Sequence, residues 1–160
     1  MRRTFTSDDA WLLAGGNHVR LWEVLGVHVG DGGSNAAVWA PNADQVSVLT
    51  DGNGWTPGVD LLEPDPSGVW RGFVTGLDIG DRYKFAVRAG RTGRVTAKAD
   101  PLALASEIPP ATASIVAELT HRWSDEQWMG ERGRRQRWDQ AISIYEVHLG
   151  SWRYEPGGYR

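Results

Sequence analysis

From Val27 onward, short apolar runs alternate with clusters of Gly, Pro, Asn and Asp at 30–35, 41–45, 51–58, 64–68, 76–81 and 90–93. Turn residues at this spacing leave room for strands rather than helices, and the pattern predicts an all-β domain built as a β-sandwich. The alternation is plainest over Arg82 to Arg88, where Tyr83, Phe85 and Val87 share one face and Arg82, Lys84, Ala86 and Arg88 the other. Successive side chains on a strand point to opposite faces, so Lys84 is expected towards solvent. Ala36 to Ala40, Gln45 to Thr50 and Val69 to Thr75 are further strands, and Ile115 to Leu119 reads as one that returns to the sheet. Trp39, on a strand ended by Pro41, is expected in the core.

The flanks read differently. In a helical prelude, residues 1–26, Ser7 or Asp8 caps a turn through Ala10 to Leu13 that stops at Gly15-Gly16, and Asn17 caps Val19 to Leu25. After the sandwich, residues 27–120, a helical linker over 121–140 is signalled by Ser124 and Gln127 at capping-box spacing. Asp125 and Glu126 lie early in it and Arg132 to Arg137 late, as a helix dipole favours. The run Ile142 to Leu149 has β-branched residues on both sides of the pleat, the mark of a strand buried in a parallel sheet. Such a strand needs crossovers and neighbours that residues 150–160 do not supply, so 141–160 reads as the opening of another domain. Glu146 and His148 share a parity near the end of this strand, where barrel enzymes gather active-site groups. Structural hydrogen bonds inside a barrel would use the same placement.

Composition narrows the chemistry. A chain of 160 residues holds one ordinary domain and a fragment of a second. Its 17 basic residues against 20 acidic ones give a net charge of −3, which disfavours a nucleic-acid or anionic-lipid surface. The cluster Arg132, Arg134, Arg135 and Arg137 then reads as a solvated helix end. With no Cys there is no disulfide, thiolate nucleophile or zinc–sulfur site, and a reducing compartment, the cytoplasm, is expected. The four His residues lack metal-ligand spacing. Gly30-Asp31-Gly32-Gly33 lacks the Lys-Ser/Thr of a phosphate loop and reads as a turn. No window approaches a membrane span, and no apolar stretch follows Arg2-Arg3 as an export signal requires.

The unusual component is aromatic, with nine Trp beside three Phe and four Tyr. In Asp51-Gly52-Asn53-Gly54-Trp55 an Asn-Gly turn holds an indole at a loop edge, placed either to stack on a sugar ring or to fold back on the core.

The string SIYEVHLGSW at Ser143 to Trp152, followed by Arg153, resembles the start of the catalytic domain of bacterial 1,4-α-glucan branching enzymes. The resemblance extends back through Thr112-Ala113-Ser114, Lys98-Ala99-Asp100-Pro101, Gly80 to Phe85, Ala37 to Ala43 and Leu21-Trp22-Glu23. It implies an immunoglobulin-like β-sandwich of the glycogen-binding type, a helical linker, and then the first strand of an α-amylase-type (β/α)₈ barrel. It also implies glucan contacts at Trp55 and Lys84, with Asn53 adjacent. Gly52 stands where the family commonly has Phe. The full enzyme is implied to cleave an α-1,4 bond and transfer the chain to a 6-hydroxyl with retention, using two carboxylates and no metal or organic cofactor. Those carboxylates lie on later barrel strands, so no residue here is assigned as catalytic and the 160-residue chain alone is expected to be inactive. Two rivals share parts of the pattern: a debranching or trehalose-releasing hydrolase, and a stand-alone glycogen-targeting module, which has no use for Ile142 to Leu149.

Overall fold

In the computed structural model, which describes residues 4–155 and 158–159, the turn clusters separate strands that assemble into two antiparallel sheets. The first contains β1 (Gly26–Gly30), β2 (Gly33–Trp39), β5 (Glu63–Pro64) and β6 (Val69–Thr75), in the order β1-β2-β6-β5. The second is built on β3 (Ala43–Thr50) and β7 (Arg82–Ala89). On it β4 (Asp60–Leu61) flanks β3, while β8 (Val95–Lys98) and β10 (Ser114–Ile115) pair with β7, and β9 (Ala105–Ser106) completes the order.

Alternation decides which side chains meet between the sheets. In β7, Tyr83 and Phe85 are buried and Val87 packs against the same core, opposite Thr50, Val48 and Val46 of β3. In β2 the inward parity falls on Ser34, Ala36 and Val38, and in β6 on Trp70 and Val74. Ser34 sits fully buried because its hydroxyl donates to the Leu77 carbonyl at 2.7 Å. This parity overturns the expectation for Trp39. The strand carries it outward, 54% exposed, where its indole Nε1 donates to the Ser67 carbonyl at 3.3 Å. The core also contains one buried polar knot. The Tyr83 hydroxyl donates to Asp100 Oδ2 at 2.6 Å, and the Asp100 backbone N–H donates to Ser114 Oγ at 2.9 Å. Burial pushes the Asp100 carboxyl above its usual range, against the pull of Tyr83.

The outer face of the first sheet is covered by the N-terminal segment. Phe5, Val24 and Leu25 pack on Ala37 and Val69, which point out of that sheet, and Arg71 Nη1 holds the segment by donating to the Phe5 carbonyl at 3.0 Å. Helix α1 (Ser7–Ala14) is capped by Thr6 rather than by Ser7 or Asp8, because the third residue on, Asp9, completes a reciprocal box: its carboxylate accepts the Thr6 N–H at 2.8 Å. The helix expected over Val19 to Leu25 shrinks to one 3₁₀ turn, Leu21–Glu23. A longer helix would carry Val24 and Leu25 away from the sheet. At Gly26, with φ of +94°, the chain instead turns into β1. The returning strand is also shorter than expected, since Ser114–Ile115 pair and Val116 enters the core but no ladder continues to Leu119.

The described residues through Thr120 form one compact unit and those from His121 a second. In the second, α2 (Glu126–Arg135) starts two residues after Ser124, and no side chain caps it. The strand expected over Ile142 to Leu149 is absent: residues 141–148 join no ladder, Ile144 is 84% exposed, and Leu149–Ser151 form a 3₁₀ turn. A parallel strand is held by hydrogen bonds from neighbours on its edges, and the described residues offer this run none.

Candidate functional site

The Asn-Gly-Trp turn leaves the end of β3, and Asn53 builds it. Its Oδ1 accepts the Thr50 N–H at 3.0 Å, while Nδ2 donates to the Val48 carbonyl and to Asp60 Oδ2, both at 2.7 Å. The Asn53 amide is thus spent on shaping the loop. Gly54 and Trp55 both take the left-handed conformation, with φ of +61° and +56°. For Gly54 this is free of steric cost, but for Trp55 it is strained by about 1–2 kcal/mol. Strain of this kind persists where surrounding contacts over-determine it. Here the Trp55 N–H donates to the Thr50 carbonyl at 2.9 Å, and its indole Nε1 donates to Asp51 Oδ1 at 2.8 Å.

Beyond the turn the loop returns across the outer face of β3, where the Gly58 N–H donates to Ser47 Oγ at 2.9 Å. Ser47 and Leu49, which point out of the second sheet, are buried. The neighbouring strand β7 carries Arg82 and Lys84 on this same outward parity. Arg82 grips Asp51 with Nη2 at 2.9 Å from Oδ2 and 3.0 Å from Oδ1, and with Nε at 3.2 Å. Its Nη1 lies 3.5 Å from Glu107 Oε1. Glu107 Oε2 in turn accepts the Ala113 N–H at 2.8 Å, and Lys84 Nζ donates to Thr112 Oγ1 at 2.6 Å. The Trp55 indole, with Arg82 second, holds the Asp51 carboxyl below the usual aspartate range, and Asp51 holds the Arg82 guanidinium above its own.

Three segments therefore meet on one face: the Asp51–Trp55 turn, the outward row of β7, and the 107–113 loop. The arrangement is an open surface with one aromatic and several hydrogen-bonding groups, chemistry suited to a polyhydroxylated ligand whose ring faces are apolar. A cleft of about 450 Å³ next to it, lined by Thr50, Asp51, Asn53, Asp60 and Asp81 among others, includes neither Trp55 nor Lys84. Of the residues singled out from sequence, Asn53 and Trp55 share the turn and Lys84 lies on the strand that grips it through Arg82. Glu146 and His148 lie in the second unit and are exposed. His148 Nδ1 is 2.6 Å from Ser151 Oγ, a contact within its own turn. Sequence reasoning passed over Asp51, Arg82 and Glu107. Arg82 had a signal, since it shares the Lys84 parity, but its partner lies 31 residues away and is chosen by the pairing of Thr50 with Tyr83.

Among the described residues, no group of three or more His, Asp or Glu is placed to hold a metal ion, and no helix is long and apolar enough to cross a membrane. Residues 24–103, the span that contains the turn and both outward basic residues, match carbohydrate-binding module 48, the isoamylase N-terminal domain. The chain belongs to this family. The chain is also similar to curated branching enzymes along nearly its whole length. It is 46% identical over 154 residues to the 1,4-alpha-glucan branching enzyme GlgB of Albidiferax ferrireducens, covering 94% of this chain and 25% of that protein. To the GlgB of Pseudomonas aeruginosa it is 47% identical over 155 residues, covering 93% and 21%. The chain thus spans about a quarter or less of the length of these relatives. Among solved structures, a pullulanase from Anoxybacillus sp. LM18-11 complexed with maltotetraose matches with a TM-score of 0.51 at 15% identity, over 79% of this chain and 16% of that one. PulA from Klebsiella oxytoca matches with a TM-score of 0.50 at 24% identity, over 69% and 10%. These two likenesses concern the fold of the module.

Proposed function

We propose that this module binds α-1,4-linked glucan on the outer face of its second sheet, through Trp55 and Lys84 with Asn53 shaping the turn, as part of a glycogen branching enzyme. The observation that carries the reading is the Trp55 indole, held in a strained backbone by Asp51 beside the strand that bears Lys84. An indole presents a flat apolar surface to the C–H face of a glucose ring, while an ammonium and hydroxyls meet its edge. The enzyme's own reaction, cleavage of an α-1,4 bond and transfer to a 6-hydroxyl with retention, requires two carboxylates about 5–5.5 Å apart across the sugar carbon. None of these 160 residues is assigned to that pair, and the chain alone is expected to show no transfer activity. Glu146 and His148 are assigned a supporting role near the enzyme's active site. The domain division proposed is a prelude over 1–26, the module over 27–120, a linker over 121–140 and the start of the catalytic domain over 141–160. A cysteine-free chain acting on stored glucan suits the cytoplasm.

The test is a calorimetric titration of the 160-residue chain with maltoheptaose, beside Trp55→Ala and a cello-oligosaccharide control. Saturable binding of maltoheptaose that is lost in Trp55→Ala is the expected result. No binding by the folded chain would overturn the glucan reading and leave the module as a support for the rest of the enzyme.

A further inference from the structure

Trp55 and Lys84 lie on different segments, yet a relay of polar contacts, closed by the peptide bond between Thr112 and Ala113, joins them. The Trp55 indole donates to Asp51, which is gripped through both oxygens by Arg82. Arg82 reaches Glu107, whose other oxygen accepts the Ala113 N–H, and the residue before that, Thr112, accepts from Lys84. Arg82 is the junction: it is the one side chain of this series that contacts both the turn and the 107–113 loop, and its planar fork can meet two carboxylates at fixed angles.

We infer that Arg82 is a positioning residue of this surface, setting through Asp51 and Glu107 where the Trp55 indole stands relative to Lys84. The inference rests on the glucan reading above and deepens it. A stacking platform and a hydrogen-bond donor held at a fixed offset fit one chain curvature. An α-1,4 chain coils and a β-1,4 chain runs straight, so a fixed offset discriminates between them, whereas a mobile indole stacks on either. Holding the offset in the free protein also spares the ligand the cost of ordering the side chain on binding. Because the Asp51–Arg82 pair is exposed, its effect on folding is small. Its effect on the orientation of one indole is direct.

The experiment follows the Trp55 indole N–H resonance, identified by its loss in Trp55→Ala, together with maltoheptaose affinity in the 160-residue chain. Arg82→Gln is expected to move that resonance and leave the other indole resonances in place, to weaken maltoheptaose about three- to tenfold, and to narrow the preference over cello-oligosaccharides. Arg82→Lys, which keeps the charge but loses the fork, should restore little of this. Asp51→Asn, which keeps one acceptor oxygen but loses the charge and the second oxygen that Arg82 grips, should weaken binding in the same direction and serves if Arg82→Gln is poorly folded. If the wild-type chain binds maltoheptaose and Arg82→Gln and Asp51→Asn bind it equally well with the Trp55 resonance unmoved, the positioning role is wrong. If the wild-type chain does not bind, the glucan reading fails by itself. The resonance then still decides the relay: movement in Arg82→Gln supports it and an unmoved signal overturns it.

Discussion

Replacing Tyr83 with Phe deletes a single oxygen from the middle of the module, and the structure dictates how the cost depends on pH. The Tyr83 hydroxyl is 2.6 Å from Asp100 Oδ2, and both residues are buried. Asp100 Oδ1 keeps the Leu102 N–H at 2.8 Å, so the variant leaves one carboxylate oxygen without this donor. A hydrogen bond to a charged group contributes about 1.5–3 kcal/mol, so a loss near 2 kcal/mol is expected at pH 7. The sign of the pH dependence follows from the raised pKa of Asp100, which burial causes and the Tyr83 hydroxyl opposes. A carboxyl raised on folding binds its proton more tightly in the folded state, so its effect on stability is most favourable at low pH and worsens as pH rises through the folded value. Without Tyr83 that value climbs further. Urea unfolding followed by tryptophan fluorescence at pH 7 and about pH 4 should therefore show a penalty that shrinks on acidification, because a neutral carboxyl needs the phenol less. A penalty below about 0.5 kcal/mol at pH 7, or one equal at both pH values, would refute the account of the buried pair.

Asn53→Ala removes three side-chain hydrogen bonds that fold the Trp55 turn, and should cost about 2 kcal/mol in urea unfolding while lowering maltoheptaose affinity in calorimetry. Asn53→Asp should not restore stability, since it places a carboxylate where the amide now donates to Asp60 Oδ2. The Asp51 carboxyl is held below its usual range, so its pairing with Trp55 and Arg82 is present above the ordinary aspartate value and lost only as pH falls through the lowered one. Maltoheptaose affinity should accordingly stay level from pH 7 down to about pH 4.5 in a calorimetric series, and a midpoint near pH 6 would point to a different titrating group.

Much of the module was legible because its information is local. The alternation across Arg82 to Arg88 needs only the two-residue period of a strand, and it sorted Tyr83 and Phe85 inward and Lys84 outward. The Asn-Gly-Trp turn is likewise written in adjacent residues, and the likeness to branching enzymes was carried by contiguous strings. Local signals also misled where more than one register satisfied them. Trp39 is apolar and sits on a strand, yet the smaller Ala36 and Val38 take the inward parity because β2 pairs with β6 through Val38 and Trp70. Ser7, Asp8 and Thr6 all qualify as caps, and only Thr6 has Asp9 at the reciprocal position.

The sequence by itself determined a sandwich of short antiparallel strands, the Asn-Gly turn that carries Trp55, and the family likeness, since periodicity, turn chemistry and motifs are properties of neighbouring residues. Only the tertiary structure decided that Asp51 meets Arg82, that Glu107 and Thr112 close the third side of the surface, and that the buried Tyr83 hydroxyl donates to Asp100. Those pairings join residues 17 to 31 positions apart. They exist because strand register places backbones side by side, and a one-residue slip would turn each of those side chains to the opposite face. The run Ile142 to Leu149 makes the same point from the other side: its composition suits a buried strand, but a strand is a relation between neighbours, and composition does not supply them.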